Sequence, residues 1–521
     1  MMNEPLLLHS IVERAGRFFG DQRVIGYTDE GAVEMTYATL VTRVRRLASA
    51  LVRAGVQTGD RVATFAWNTL EHLELHLAVP SIGAVLTPLN VRLHTDALSY
   101  VIDHAEATIV VAEQSLADRL PSLPPHVRLV LIGGQADASE TLDYERLLSE
   151  GDPDFSFPRI PEESACTLCY TGGTTGLPKG VAYTHRSTVL HTLLQSLPDY
   201  YAFAEADVTV PFVPIFHANA WGIPYASLMA GARLVLPGPL TAPEDMVRVL
   251  AEQRATFSAG VPTIWHDVGR LPQLPDLSSL RMVVVGGAPL SERFLTRFDE
   301  LGIPVVQGFG MTEANPLVSI GSVPARSRAS GADRMRIRLS QGRPVPFVDV
   351  RTDSVSGELQ MRGPTVTARY HRVPVGSDDK FTGDGWMRTG DVADISEDGV
   401  VRIIDRTKDM IKSGGEWISS VELADVIETH PSIAEAVVVA VEDDRWGERP
   451  AAFVVLRHGE TLTAASLREH VAGRVAKWWV PDVIQFITAI PRTSLGKLDK
   501  KAVRALAEQR AHRPQEKGEG L

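Results

Sequence analysis

Apolar positions fall in short runs separated by stretches of helical spacing. The runs at 61–67, 109–112, 127–132, 233–236, 282–285 and 305–306 are mostly aliphatic and bounded by turn residues, which predicts strands. Residues 70–82, 243–254 and 291–301 read as helices between them. Residues 9–58 carry helical spacing, with Leu47, Leu51 and Val52 on one side. Strand–helix alternation of this kind implies α/β layers with largely parallel sheets.

From about 342 the texture changes. Segments 348–351, 357–361 and 400–404 alternate like antiparallel strands, with Gly- and Asp-rich turns between them. After Asp405 a compact pattern follows: a helix at 421–429, strands at 434–441 and 451–456, a helix at 465–475 and a strand at 483–486. The expected fold is α/β. Residues 1–404 form a large N-terminal domain of two parallel-rich α/β layers plus a β-barrel-like subdomain. Residues 405–521 form a small mobile α+β C-terminal domain, with a hinge at 405–408.

Size and charge narrow the function classes. The 521 residues are enough for two or three domains, and 44% hydrophobic with 22% charged residues is ordinary for a globular enzyme. A net charge of −12 argues against a nucleic-acid partner. The longest apolar stretch, 77–89, is broken by Pro80 and Pro88, so no membrane span is expected. The opening Met-Met-Asn-Glu-Pro lacks the basic flank and apolar block of a signal peptide, and a cytoplasmic enzyme is expected. Cys166 and Cys169 form a C-x-x-C with no second cysteine pair, and read as small core residues rather than a redox or zinc site.

The chemistry is concentrated in a few strings. Residues 170–180 read Tyr-Thr-Gly-Gly-Thr-Thr-Gly-Leu-Pro-Lys-Gly after a strand-like approach. Glycines let backbone N–H groups close on phosphate oxygens, threonine hydroxyls add donors and Lys179 adds charge. Gly180-Val181 follows the lysine instead of Ser or Thr, so this is not the Walker spacing. Four more strings follow: Gln307-Gly-Phe-Gly-Met-Thr-Glu313, Arg388-Thr-Gly-Asp391, Asp405-Arg-Thr-Lys-Asp-Met-Ile-Lys-Ser-Gly-Gly-Glu-Trp417 and Pro491-Arg-Thr-Ser-Leu-Gly-Lys497. Taken singly each has a plain reading: Glu313 a turn carboxylate, Asp391 a cap, Lys497 a surface lysine.

Together, in this order, they resemble the adenylate-forming (ANL) superfamily of acyl-CoA synthetases, luciferases and peptide-synthetase adenylation domains. The resemblance covers essentially the whole chain. It points to the medium- and long-chain fatty-acyl-CoA synthetase branch through Phe216-His-Ala-Asn-Ala-Trp-Gly222, Lys412-Ser-Gly-Gly-Glu-Trp-Ile418 and Trp446-Gly-Glu-Arg-Pro450. What it implies is ATP and Mg²⁺ chemistry. Thr171, Gly172, Gly173, Thr174, Thr175, Gly176 and Lys179 would cradle the phosphates, with Thr171 and Glu313 near the metal. Gly286, Gly287 and Ala288 would lie beside the nucleotide, and Phe309 would pack on adenine within the run Gln307, Gly308, Gly310, Met311 and Thr312. Asp391 and Arg406 would hold the ribose, and Lys412 and Trp417 would lie nearby. Lys408 would sit at the hinge. Lys497 would reach both the substrate carboxylate and the α-phosphate. Gly173 stands where the family loop usually has Ser, which removes one hydroxyl donor.

The resemblance also bears on the two substrates. Amino-acid-activating relatives place an Asp where this chain has His217, which argues against an α-amino acid as the acyl donor. His217, Trp221 and Val261 would line an acyl pocket; for His217 an inert packing role is equally open. A hydrophobic acid, fatty or cyclic, is expected, with coenzyme A as acceptor. The alternative is an amide bond synthetase passing the acyl group to an amine or amino acid, as coronafacic acid–amino acid ligases do. A non-catalytic nucleotide-binding scaffold is the reading from another class. A homodimer rests on family analogy.

Overall fold

The computed structural model describes residues 2–134, 141–171, 177–324, 327–374, 379–492 and 498–511. The chain groups into two compact units, Met1–Val350 with Met361–Met387, and Arg351–Gln360 with Arg388–Leu521.

Two large sheets build the first unit. One has nine strands, in the order Arg343–Pro344, Leu317–Ile320, Val305–Gly310, Met282–Gly286, Phe257–Gly260, Val208–Pro211, Arg233–Leu236, Arg23–Thr28 and Gly31–Thr36. The six strands from Val305–Gly310 inward to Arg23–Thr28 are joined by five parallel ladders, and antiparallel strands close both edges. The other sheet has seven strands, in the order Thr141–Asp143, Arg128–Ile132, Ala107–Glu113, Arg61–Phe65, Val85–Pro88, Ala165–Tyr170 and Gly180–Thr184. It is parallel except at its last pair. Aliphatic runs buried on both faces are what parallel sheets covered by helices require.

Helix Leu70–Ser81 shows why the core is extensive. Thr69 caps it by accepting from the His72 amide, and every residue after Glu71 is buried. A helix buried on every face belongs inside the protein rather than on it, and its buried charged member, Glu74, is paired with Arg43 and Tyr144. Burying each large aliphatic side chain is worth about 1.5–3 kcal/mol.

One expectation fails. Residues 9–58 are not helical throughout: helices Leu8–Phe18 and Tyr37–Arg53 flank the hairpin of Arg23–Thr28 with Gly31–Thr36. Arg23–Thr28 is drawn into the nine-stranded sheet beside Arg233–Leu236, a long-range pairing that overrides local spacing. Val52 also leaves its expected side, being 43% exposed while Leu47 and Leu51 are fully buried.

A four-stranded sheet follows, in the order Asp349–Thr352, Glu358–Arg362, Met387–Ile395 and Val401–Arg406. The second unit's remaining sheet has Glu416–Ile418, Ile411–Ser413, Gly447–Leu456 and Ile433–Asp443 in sequence of pairing, with Val483–Phe486 parallel to Gly447–Leu456. Helices Ser420–Glu428 and Ala464–Ala472 bury Leu423, Ile427, Leu467 and Val471 against it. The fold is therefore mixed α/β with parallel-rich sheets and a small C-terminal domain. Among the described residues, no helix is long and apolar enough to cross a membrane.

Candidate active site

Two hairpins, one from each large sheet, carry the candidate chemistry of the first unit. The first joins Ala165–Tyr170 to Gly180–Thr184. Its neck is closed by the Thr171 amide donating to the Lys179 carbonyl (2.9 Å) and the Lys179 amide donating to Thr171 Oγ1 (3.3 Å). Gly172, Gly173, Thr174, Thr175 and Gly176 lie outside the described residues. The strand beyond runs straight into helix His185–Gln195, started by a capping box between Thr184 and Ser187.

The second hairpin joins Val305–Gly310 to Leu317–Ile320 and holds Glu313 in its turn. Gly310 allows the turn to close, since a Cβ there would lie 2.3 Å from the Pro316 carbonyl oxygen. Three hydrogen bonds pin the second hairpin to the first and to the helix that follows it. The Tyr183 hydroxyl donates to the Thr312 carbonyl (2.7 Å), and Asn315 Nδ2 donates to Ser187 Oγ (3.0 Å) and Thr188 Oγ1 (3.2 Å). Asn315, buried at φ 63°, is suited to that left-handed corner.

Glu313 is 8% exposed, and its carboxylate accepts a 2.6 Å hydrogen bond from the Tyr370 hydroxyl. The Lys179 ammonium stands 4.6 Å from the centre of the same tyrosine ring. Tyr370 thus touches both charged groups that the sequence singled out at the loop and the turn.

The other residues expected near the nucleotide and acyl group gather at strand C-terminal ends, where open α/β sheets bind ligands. Gly286 and Gly308 are partners in the parallel ladder. A Cβ on Gly286 would stand 2.8 Å from the Gly308 carbonyl oxygen and 3.2 Å from the Trp221 ring, so the strand end admits Trp221 only beside glycine. Gly287 turns away at φ 92°, with Ala288 half-buried after it. Gln307 is buried, and its Oε1 has no hydrogen-bond partner among the described residues. Phe309 and Met311 pack on the apolar cluster that contains Trp221. Val261 ends the approach to helix Pro262–Gly269 and is half-buried, as is His217.

Trp221 is delivered by unusual backbone. Ala218, Asn219, Ala220 and Trp221 all have φ between 46° and 58°, and Gly222 follows at 72°. Left-handed geometry costs about 1–2 kcal/mol for each non-glycine residue. Buried polar contacts hold the run: Asn219 Nδ2 reaches Thr167 Oγ1 (3.4 Å), and Gln195 Nε2 donates to the Gly222 carbonyl (2.9 Å).

In the second unit, Asp391 and Arg406 face each other across paired strands, with Arg406 Nε 2.7 Å from Asp391 Oδ1. Asp391 is buried while its partner is half-exposed, and it sits on strand Met387–Ile395. Lys412 and Trp417 are partners in a short hairpin, the ammonium 5.5 Å from the indole ring centre. Lys408 is held below the ordinary lysine value, first by desolvation and then by Arg406, Arg504 and Lys500, with Asp409 opposing. Lys497 lies outside the described residues.

Sequence reasoning missed Tyr370, Tyr183 and Asn315. Nothing in the strings around them marks a site, because each acts through a contact more than fifty residues away.

Residues 12–371 match the AMP-binding enzyme family, and residues 422–497 match the AMP-binding enzyme C-terminal domain. The chain is 41% identical to a long-chain-fatty-acid–CoA ligase of Thermus thermophilus, over 97% of this chain and 96% of that one. It is 39% identical to a 3-methylmercaptopropionyl-CoA ligase of Ruegeria pomeroyi, over 97% and 98%. The amide bond synthetase McbA from Marinactinospora thermotolerans superposes with a TM-score of 0.82 at 28% identity, covering 96% of this chain and 99% of that one. The protein is an ATP-dependent, adenylate-forming ligase by class. It belongs to the AMP-binding enzyme family.

Proposed function

We propose that the protein activates a hydrophobic carboxylic acid as its acyl adenylate and passes the acyl group to coenzyme A. The observation that carries this is the buried Glu313 carboxylate held by Tyr370, whose ring also seats Lys179, at the neck of the glycine-rich loop. The names of the two curated relatives supply the acceptor and the class of acid.

The roles follow from charge. A carboxylate oxygen attacks the α-phosphorus while the bond to pyrophosphate breaks, an approach of anion to anion. Lys497 neutralises both and aligns them, which is where most of the acceleration arises. The 171–176 loop and Lys179 take the charge growing on pyrophosphate. Glu313 and the Thr171 hydroxyl offer hard oxygen donors that fit Mg²⁺, and the ion would spread that charge further. In the first unit Gly286 to Ala288 and Gln307 to Thr312 line the nucleotide's place; in the second, Asp391, oriented by Arg406, takes the ribose hydroxyls, with Lys412 and Trp417 as its further nucleotide contacts. Against apolar walls at Trp221, Val261 and His217, the mixed anhydride is kept from water. The small domain then turns about residues 405–408, withdrawing Lys497. The CoA thiolate attacks the acyl carbon, and AMP leaves.

A second reading has its own support: the likeness to McbA, an amide bond synthetase, favours an amine as acceptor. One experiment separates the two. The protein is incubated with ATP, Mg²⁺ and a panel of acids from short thioether to long-chain fatty, then given CoA or amines separately, and the products are weighed. Thioester formation is expected. Exclusive amide formation selects the second reading, and absence of acid-dependent pyrophosphate release overturns both.

A further inference from the structure

Segment 367–371 ties together the two hairpins of the first unit by four contacts. The Thr367 amide donates to the Glu313 carbonyl (2.8 Å), and the Tyr370 hydroxyl to the Glu313 carboxylate (2.6 Å). The Tyr370 ring lies 4.6 Å from the Lys179 ammonium, and the His371 amide donates to the Gly180 carbonyl (2.7 Å). Tyr370 itself is 2% exposed and packs edge-on against Phe381, ring centres 6.4 Å apart, so its position is fixed from behind.

A buried tyrosine hydroxyl needs an acceptor, but a tyrosine serving packing alone does not need that acceptor to be a carboxylate. Nor does it need an ammonium over its face. A hydrogen bond to a charged group and a cation–π contact are each strong enough to set where the charged partner stands. The hydroxyl satisfies one Glu313 oxygen and fixes the direction of the other. The ring face holds the lysine on the loop side. Each contact is weak enough to be shared with a ligand, and both come from one rigid side chain.

We propose that Tyr370 is a positioning residue of the adenylation step: its hydroxyl aims the Glu313 carboxylate at the metal-bound phosphates, and its ring sets the Lys179 ammonium beside them. This rests on the proposed role of Glu313. It predicts a division of labour within one side chain. The hydroxyl governs the metal-dependent part of ATP binding, and the ring governs the metal-independent part.

The test uses the full-length protein with Tyr370→Phe, Tyr370→Met, Glu313→Gln and the double variant Tyr370→Phe/Glu313→Gln. ATP binding is measured by calorimetry without any acid, with and without Mg²⁺, and acid-dependent ATP–pyrophosphate exchange is measured across a Mg²⁺ titration. Tyr370→Phe is expected to leave metal-free ATP affinity within about twofold, to raise the Mg²⁺ midpoint about tenfold and to lower exchange kcat about tenfold. Tyr370→Met, which fills the volume but removes the ring, is expected to weaken metal-free ATP binding about fivefold as well. In the Glu313→Gln background, Tyr370→Phe is expected to add less than about twofold. A Tyr370→Phe variant that melts earlier yet keeps the parental Mg²⁺ midpoint makes Tyr370 a packing residue and overturns the inference, as does full additivity in the double variant. If Glu313→Gln itself leaves the Mg²⁺ midpoint and exchange rate unchanged, the role of Glu313 fails first and takes the inference with it.

Discussion

Cys166 and Cys169 illustrate how burial alone settles a residue's chemistry. Both thiols are free, on strand Ala165–Tyr170 just before the glycine-rich stretch of the sequence. Loss of solvation is the main cause that pushes them up, to about 11 and about 12. A thiol is inert until it ionises. Neither should react with Ellman's reagent within minutes at about pH 8 in the folded protein, and both should react in denaturant. Rapid labelling of the native protein would mean that this strand opens. Charged residues are handled differently. Asp391 is given Arg406, and Glu313 is given a neutral tyrosine hydroxyl. A neutral donor satisfies the carboxylate without cancelling its charge, which leaves that charge for a cation.

At the level of elements, two helices carry histidines that folding keeps neutral. His72 and His76 lie on Leu70–Ser81, and His185 and His191 on His185–Gln195. Burial is the leading cause in each, lowering His72 and His185 to about 4 and His76 and His191 to about 3. These folded values lie below the ordinary imidazole value of 6.5, so the unfolded chain binds protons that the folded chain refuses. Stability is full above that value and falls as pH drops towards 4 and 3, by about 1.4 kcal/mol per pH unit for each histidine. The thermal midpoint should be level above about pH 7 and fall steeply between about 6 and 4, with His191→Gln reducing the slope by about one proton. An unchanged slope in that variant would place the acid sensitivity elsewhere.

Elements also show what the sequence could and could not disclose. The strands at Arg233–Leu236 and Val483–Phe486 were readable to the residue, because short aliphatic or alternating runs between turn signals leave little choice. The hairpin of residues 23–36 was not, since its strand form depends on pairing two hundred residues away. The loop at 170–180, Glu313, Asp391 and Lys497 were legible as strings. Tyr370 was not, for the run Ala368-Arg369-Tyr370-His371 has neither periodicity nor motif. The left-handed run from Ala218 to Gly222 was equally hidden, because only one of its five residues is glycine.

For the whole molecule, the proposal assigns the chemistry to two bodies with different tasks. The first unit supplies the phosphate loop, Glu313 and the acyl walls; the second supplies Asp391, the hinge and Lys497. A single domain could bind ATP and an acid together. Two half-reactions with opposite needs, a cation between two anions first and a thiol path afterwards, are better served by a domain that turns. Lys497→Ala tests this most directly, with each half-reaction assayed separately. The account predicts that acid-dependent ATP–pyrophosphate exchange falls by about a thousandfold, while thioester formation from supplied acyl adenylate and CoA stays within about threefold of the parent. Equal loss in both half-reactions would contradict it.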